Sequence, residues 1–140
     1  MIAEMIWSLQ LFCSGIMCGL VWFVQLNHYP LMLAITADHF AEYEREHVRR
    51  TGWIAAPAML AELAAGLGLA YLLPHVWYTW GNTSLLLLLW ASTFLIQVPI
   101  HRQLQRNGKN EILIRRLVTT NWIRSVAWTA VFIGLILHRL

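Results

Sequence analysis

Charged residues are scarce in this 140-residue chain: they make up 12% of it, while hydrophobic residues make up 59%. A soluble domain usually has about twice that charged fraction. Long apolar runs with few charges are typical of membrane-spanning segments. The composition therefore argues against an ordinary soluble domain. It predicts a single integral membrane domain over residues 1–140, with the lipid bilayer as its surroundings.

The N-terminal apolar segment lacks the marks of a secretion signal. It contains no Lys or Arg before Arg45, and it ends in "VQLNHYP" rather than in a small-residue cleavage site. A signal peptide begins with positive charge and ends in small residues. We therefore expect this segment to be retained as the first membrane span.

Cysteine is also rare, with only Cys13 and Cys18, and no CxxC motif occurs. The missing motif excludes the usual redox centre of a membrane thiol oxidase. Because five residues place the two thiols on different faces of a helix, we expect no disulfide between them.

Four apolar runs predict an all-α, four-helix membrane bundle. The predicted spans cover about 5–28, 53–73, 83–100 and 117–137, each near the roughly 20 residues that a bilayer core requires. The first span is expected to continue past Pro30 as a kinked or interfacial amphipathic helix, reaching the cytoplasmic side at about 38–50. The connection between spans three and four has a turn signal at Asn107-Gly108.

The basic residues are distributed asymmetrically between the connections. The second connection and the N-terminus have no Lys or Arg, and the C-terminus has Arg139, whereas the first and third connections carry Arg45, Arg49, Arg50, Arg102, Arg106, Lys109, Arg115 and Arg116. The positive-inside rule then predicts that both termini lie outside, as in a bacterial inner-membrane protein. The outer side would carry an aromatic belt of Trp7, Trp77, Tyr78 and Trp80. Because topology accounts for the pI near 9.2, no nucleic-acid partner is needed.

Polar residues from all four spans fall at similar depth in the predicted cytoplasmic half, while the outer halves are nearly free of them. A buried ionisable group costs about 2.5–3.5 kcal/mol or more at the bilayer centre, so chance does not readily explain the clustering. Glu62 is the deepest of these groups, and we expect Arg124, a histidine or a bound cation to compensate its charge. The set comprises Gln25, Asn27, His28, Glu62, Gln97, His101, Thr120, Asn121 and Arg124.

A metal site is predicted on the cytoplasmic side of this cluster. Glu44-x-x-His47 places a carboxylate and an imidazole on one helical face, as in di-iron and di-manganese bundles. Imidazole and carboxylate ligands suit iron, manganese, copper or zinc. The predicted ligands are His28, Glu44, His47, Glu62 and His101, enough for one or two ions. Gln25 and Gln97 would orient the ligands from beside the cofactor.

The favoured function is a metal-dependent membrane oxidoreductase or oxygenase that acts on a small lipophilic molecule. The metal would supply Lewis acidity or redox chemistry. Glu62, Tyr29 or Tyr43 would move protons, and Arg124 would be required alongside Glu62. The active side would be cytoplasmic.

The sequence also resembles the anthrone oxygenase-like family of small four-span membrane proteins. The resemblance is carried by "NHYP" at the end of span one, a polar position in the middle of span two, and "NWIRSVAW" at the start of span four. It implies an oxygenase that acts on lipophilic aromatic substrates. It also implies that His28, Asn121 and Arg124 lie near the substrate pocket.

Two other functions stay open. In one, His28 and His101 are axial ligands of a haem in an electron-transfer protein. In the other, Glu62 couples proton movement to the transport of a small molecule, which requires polar groups in both halves of the membrane.

Some features also have purely structural explanations. Glu62 and Arg124 would form an ion pair, and Glu44 and His47 would belong to a solvated charged face. The small-residue pairs Gly15/Gly19 and Ala61/Ala65 predict close helix contact, within the bundle or in a homo-oligomer.

Overall fold

The computed structural model describes residues 1–138, so Arg139, which the topology prediction counts at the C-terminus, lies outside it. The described residues form four long helices and contain no β-strand. We number them α1 (Ile2–Ala34), α2 (Ala37–Leu72), α3 (Trp77–Asn107) and α4 (Glu111–Leu137). All four are long and apolar enough to cross a membrane. The prediction of an all-α integral membrane four-helix bundle is thereby confirmed.

The segment at 38–50 continues the second helix and not the first, which corrects the predicted extension of span one. The chain is extended at Ile35 and Thr36, where ψ is 133° and 151°. A new helix begins at Ala37, with Asp38 in its first turn, where a carboxylate favours the helix dipole. It then runs on through Pro57 without interruption to Leu72. The polar segment and span two are therefore one rigid element.

Two helices contain a wider π turn at matching places. In α1 it covers Val24–His28 and in α3 it covers Thr93–Gln97. A proline, Pro30 or Pro99, follows two residues after each turn. Proline lacks a backbone N–H and crowds the preceding turn, and π turns are often found at functional sites. Both turns lie beside the polar cluster described below.

The bundle has two ends that differ in composition. We call the end with the α1–α2 and α3–α4 connections the basic end, and the end with the α2–α3 connection the aromatic end. At the aromatic end, Trp77 and Trp80 are 72% and 53% exposed. At the basic end, the Asn107-Gly108 turn is confirmed, since Gly108 ends α3 with a φ of +78°. Apolar cores fill both halves, around Trp128 and Met17 in one and Phe40 and Leu104 in the other.

The predicted small-residue contacts are made partly inside the bundle. A Cβ added at Gly15 would lie 3.3 Å from Phe132 of α4, whereas one at Gly19 would meet nothing within 4 Å. Ala65 is buried. Gly15 and Ala65 thus serve helix packing within the chain, and Gly19 is the member of the set left open. A homo-oligomer through these faces stays a prediction.

Lys109 ties the two connections at the basic end together. Its ammonium group donates to the carbonyl oxygens of Leu33 and Ile35 at 2.7 and 2.8 Å. Leu33 is in the last turn of α1 and Ile35 is in the extended link after it, where carbonyl oxygens lack partners within a helix. Lys109 thus fixes the extended link that separates α1 from α2.

Membrane orientation can be tested with single cysteines in a chain whose Cys13 and Cys18 are replaced by serine. Gln103→Cys at the basic end should react with an impermeant thiol reagent only from the cytoplasmic side. His75→Cys at the aromatic end should react only from the other side. Both positions are exposed, and Lys109 is avoided because it bonds across the two connections. Labelling with the sides exchanged would reverse the predicted topology.

Candidate functional site

A cavity of about 130 Å³ lies between the four helices in the basic half of the bundle. We call it the Arg124 cavity. Its apolar walls come mainly from valines and alanine, including Val21, Val24, Val48, Ala55 and Val98. Its polar groups are the side chains of Tyr29, His47, Thr51, Thr93, Gln97, His101 and Arg124. An apolar pocket with a few convergent polar groups is the usual form of a small-molecule site.

Arg124 is the positive charge of this cavity. The residue is only 9% exposed. One of its terminal nitrogens donates to Asn121 Oδ1 at 3.2 Å, and its guanidinium carbon lies 5.1 Å from the centre of the Trp128 ring. Its Nε is buried and has no hydrogen-bond partner. Within residues 1–138, no carboxylate forms an ion pair with Arg124.

Three amide side chains, from α1, α3 and α4, form hydrogen bonds around Arg124. Asn121 donates to Gln25 Oε1 at 3.0 Å, and Gln25 donates in turn to the Val118 carbonyl at 3.1 Å. Gln97 donates to Thr120 at 3.4 Å and accepts from Ser92 at 3.2 Å. Gln25 and Gln97 thus sit beside the cavity, and their role in orienting metal ligands stays a prediction. Each comes from one of the two π turns and reaches α4.

A hydrogen-bonded chain of three side chains forms one wall of the cavity. The Glu44 carboxylate is fully buried and bonds His101 Nδ1. His101 Nε2 lies 3.1 Å from the Tyr29 hydroxyl, which also interacts with the guanidinium of Arg124. If the carboxylate fixes the proton on Nδ1, Nε2 is left to accept from Tyr29. A series of side-chain contacts therefore runs from Glu44 through His101 and Tyr29 to Arg124.

Two further histidines, His28 and His47, stack next to this chain. The rings of His28 and His47 are 3.9 Å apart and nearly parallel, and those of His47 and His101 are 5.5 Å apart. Tyr43 Oη lies 3.3 Å from His28 Nδ1, and Thr51 Oγ1 lies 3.1 Å from His47 Nδ1. The structure thus places His28, His47, His101 and Glu44 next to one another, and their role as metal ligands stays a prediction.

Glu62 lies apart from this group, and neither of the two side-chain partners predicted for it, Arg124 or a histidine, compensates its charge. The carboxylate accepts from Ser14 at 2.5 Å and from the indole N–H of Trp128 at 2.9 Å. It forms no ion pair with Arg124 in the described part of the chain; the two residues meet only through Trp128, which Arg124 contacts on its ring face. Two neutral donors therefore stabilise Glu62, and no histidine reaches it.

The donors predicted to hold a metal do not converge. In residues 1–138 no group of three or more His, Cys, Asp or Glu side chains is arranged to hold an ion. His101 has both ring nitrogens engaged, and His28 and His47 face each other ring to ring. Glu44 Oε2 and His28 Nε2 are buried without partners, so the chemistry of ligation is present but the arrangement does not fit. We derive no step through a metal, and its presence stays a prediction.

Sequence reasoning missed several polar groups. Trp128 counted as apolar, and its role as a donor to Glu62 depends on the rotation of α4. Ser14, one of many small residues in span one, gave no signal. The expectation that the aromatic halves lack polar groups is wrong, because Gln10, Thr79, Asn82 and Thr83 are buried there. These residues are neutral, and the cost of burial that led to the expectation applies mainly to ionisable residues.

The comparisons with known proteins define no class for the chain: no family model, no curated protein and no solved structure matches it. The similarity to the anthrone oxygenase-like family thus stays a prediction. Of the residues it implies, Arg124 lines the cavity and Asn121 holds Arg124. His28 lines a separate surface groove with Tyr43 and His47.

Proposed function

We propose that this protein is a small membrane enzyme that binds a lipophilic molecule with an acidic oxygen, such as a phenol or an enol, and removes its proton. One observation carries the proposal: among residues 1–138 Arg124 is a buried cation without a carboxylate partner, and it lines a cavity whose other walls are largely apolar. An apolar ligand that becomes an anion fits both features.

The charge of Arg124 explains why such a ligand would be retained. A buried cation is costly in the low dielectric of a membrane bundle unless an opposite charge accompanies it. Asn121 and the Trp128 ring satisfy it only in part. A ligand oxygen that becomes negative beside the guanidinium would gain a charge-assisted hydrogen bond. The site therefore favours the deprotonated form of the ligand over its neutral form.

The Glu44–His101–Tyr29 chain would take up the proton. Tyr29 would pass its own hydroxyl proton to His101 Nε2 while it accepts the proton of the ligand oxygen. The ligand O–H bond breaks, an N–H bond forms on His101, and Glu44 stabilises the resulting imidazolium. This is the role of a general base oriented by a carboxylate. Tyr43, predicted as a catalytic residue, is hydrogen-bonded to His28 instead.

Oxidation of the bound anion is the further step we propose, in keeping with the predicted oxidoreductase or oxygenase activity. A phenolate or an enolate gives up electrons more readily than its neutral form, and dioxygen would be the oxidant. The anion gives one electron to dioxygen, the carbon radical and the superoxide so formed join in a C–O bond, and the peroxide anion takes the proton held on His101. One ligand and one dioxygen thus give one hydroperoxide. The predicted transition metal is not required for removal of the proton. Metal content of the purified protein, compared with that of His47→Ala, tests the metal prediction. A Soret band tests the haem alternative.

Binding of 4-nitrophenol tests the proposal, because only the ionised form of this phenol is yellow. In lipid nanodiscs at a pH where the free dye is mostly neutral, the protein should shift bound dye to the anion. Tyr29→Phe, which removes one hydroxyl from a residue that is 2% exposed, should lower the ratio of ionised to neutral bound dye about tenfold, because the anion loses the hydroxyl that donates a hydrogen bond to it.

Tyr71→Phe is the matched control, since Tyr71 is 84% exposed, and it should behave as wild type. Equal dye ionisation in protein-free nanodiscs and in nanodiscs with the protein would contradict the proposed function.

A further inference from the structure

The aromatic half of the bundle contains buried polar atoms that have no hydrogen-bond partner within residues 1–138. Gln10 is 0% exposed, and both its Oε1 and its Nε2 are unpartnered. Asn82 is 3% exposed, and its Oδ1 is unpartnered, as is the buried hydroxyl oxygen of Tyr78. A glutamine amide alone can make four hydrogen bonds. Buried polar groups therefore occur in both halves of the bundle, around the Arg124 cavity in one half and around Gln10 and Asn82 in the other.

Gln10 is connected to the middle of the bundle through Gly66. A Cβ added at Gly66 would lie 3.1 Å from Gln10 Nε2, so the amide rests directly on the α2 backbone. Thr83 donates to the Gly66 carbonyl at 3.1 Å, which brings α3 to the same point. One helical turn further in, Ser14 and Glu62 are hydrogen-bonded to each other. Polar groups therefore continue from Gln10 to Glu62.

Asn82 connects the same region to the surface. It lines a cavity of about 220 Å³ at the aromatic end, together with Tyr78, Trp77 and His138. The rings of Tyr78 and His138 stack at 4.5 Å and Trp77 meets His138 edge to face, so aromatic rings form the mouth. Thr83, the neighbour of Asn82 in sequence, faces Gly66. The surface cavity and the Gly66–Gln10 contact therefore lie on neighbouring sides of the same turn of α3.

We propose that water occupies the aromatic half from this cavity to Gln10, forming a hydrated path that gives water and protons access to the middle of the bundle. Buried waters generally bind polar groups that protein atoms leave unsatisfied, with two to four partners each. Tyr78, Asn82 and Gln10 offer such partners in order from the surface cavity inward. The path ends at the Ser14–Glu62–Trp128 cluster, and the Arg124 cavity begins on its other side.

The hydrated path has a consequence for the transport alternative. Proton movement across a membrane requires polar groups at every depth. The basic half holds His28, His47, His101 and Arg124, the middle holds Glu62, and the aromatic half holds the path. Transport requires polar groups in the aromatic half as well as in the basic half. Gln10, Thr83 and Asn82 supply them in the aromatic half.

Reaction of buried cysteines with the silver ion, which is small and hydrophilic, tests the path without any ligand for the Arg124 cavity. Cys13 and Cys18 are replaced by serine, and a single cysteine is placed at Gln10. Leu135→Cys is the matched control, since Leu135 is also 0% exposed but lies in an apolar core. Gln10→Cys should react at least about tenfold faster than Leu135→Cys. Added Asn82→Leu should slow it severalfold by closing the entrance. Equal, slow rates at the two sites would overturn the proposal.

The melting temperature of Gln10→Leu gives a second test in the otherwise native protein. If the amide is dry, leucine removes two unsatisfied polar atoms and should raise the melting temperature. If water satisfies the amide, leucine displaces that water and should leave the melting temperature unchanged or lower. A clear increase would count against the path. Because neither test uses a phenol, failure here and failure of the proposed function are distinguishable.

Discussion

Replacing Arg124 with methionine is expected to weaken binding of the 4-nitrophenol anion about 100-fold. Truncating one partner of a buried, hydrogen-bonded charge pair costs about 2–5 kcal/mol, and each 1.4 kcal/mol is a factor of ten. Titration of dye absorbance against protein in nanodiscs measures the change. Arg116→Met serves as the control, because Arg116 is an exposed arginine on the same helix. That variant should bind the dye like wild type.

The folding stability of Arg124→Met separates a binding role from a structural one. Since no carboxylate pairs with Arg124 in the described residues and its Nε is unsatisfied, methionine should leave stability unchanged or raise it. An arginine that served only to compensate Glu62 would give the opposite result, a loss of about 3–5 kcal/mol. Loss of stability together with unchanged dye binding would refute the assigned role.

Replacing Glu62 with alanine should lower the free energy of unfolding by about 2–5 kcal/mol. The change leaves a cavity and strips the acceptor from both the Ser14 hydroxyl and the Trp128 indole, which are buried. Glu62→Gln should cost about 1 kcal/mol or less. Its oxygen can still accept from Trp128, and its amide can donate to Ser14, whose hydroxyl can reverse its role.

Unfolding in detergent, followed by tryptophan fluorescence, measures the difference between these variants. Glu42→Ala, at an exposed position of the same helix, should have little effect. If alanine and glutamine at position 62 proved equally stable, the two hydrogen bonds would contribute nothing to the fold.

The four helices and the clustering at the basic end could be predicted because both follow from composition along the chain. An apolar run of span length has few alternatives to a membrane helix. The cost of burying His101, Glu62 and Arg124 made a shared interior the simplest explanation. His28, Glu44, His47 and His101 also lie near one another in the basic half, while the metal site inferred from them stays a prediction.

The helix break and the partner of Glu62 could not be predicted, because both depend on local geometry. Pro30 and Pro57 are equally strong as breakers in sequence, yet the chain separates at Ile35–Thr36 and continues through Pro57. Whether Glu62 meets Arg124 or Trp128 depends on one turn of α4, since the two residues are four apart. Hydropathy carries no information at that resolution.

The site depends on one extra residue in each of the two π turns, and therefore on the number of residues in α1 and α3 as well as on which residues they are. A π turn is an α-helix with one residue added, so it can lose that residue and leave the helix on both sides in the same phase. Each added residue here belongs to a turn that supplies a buried glutamine, Gln25 or Gln97, to α4. A one-residue deletion in either turn would therefore spare the packing and remove a support of the cavity. Related sequences that lack one residue within Val24–His28 or Thr93–Gln97 are expected to keep the four-helix bundle and to lose this site. Sequences with both π turns are expected to keep the site.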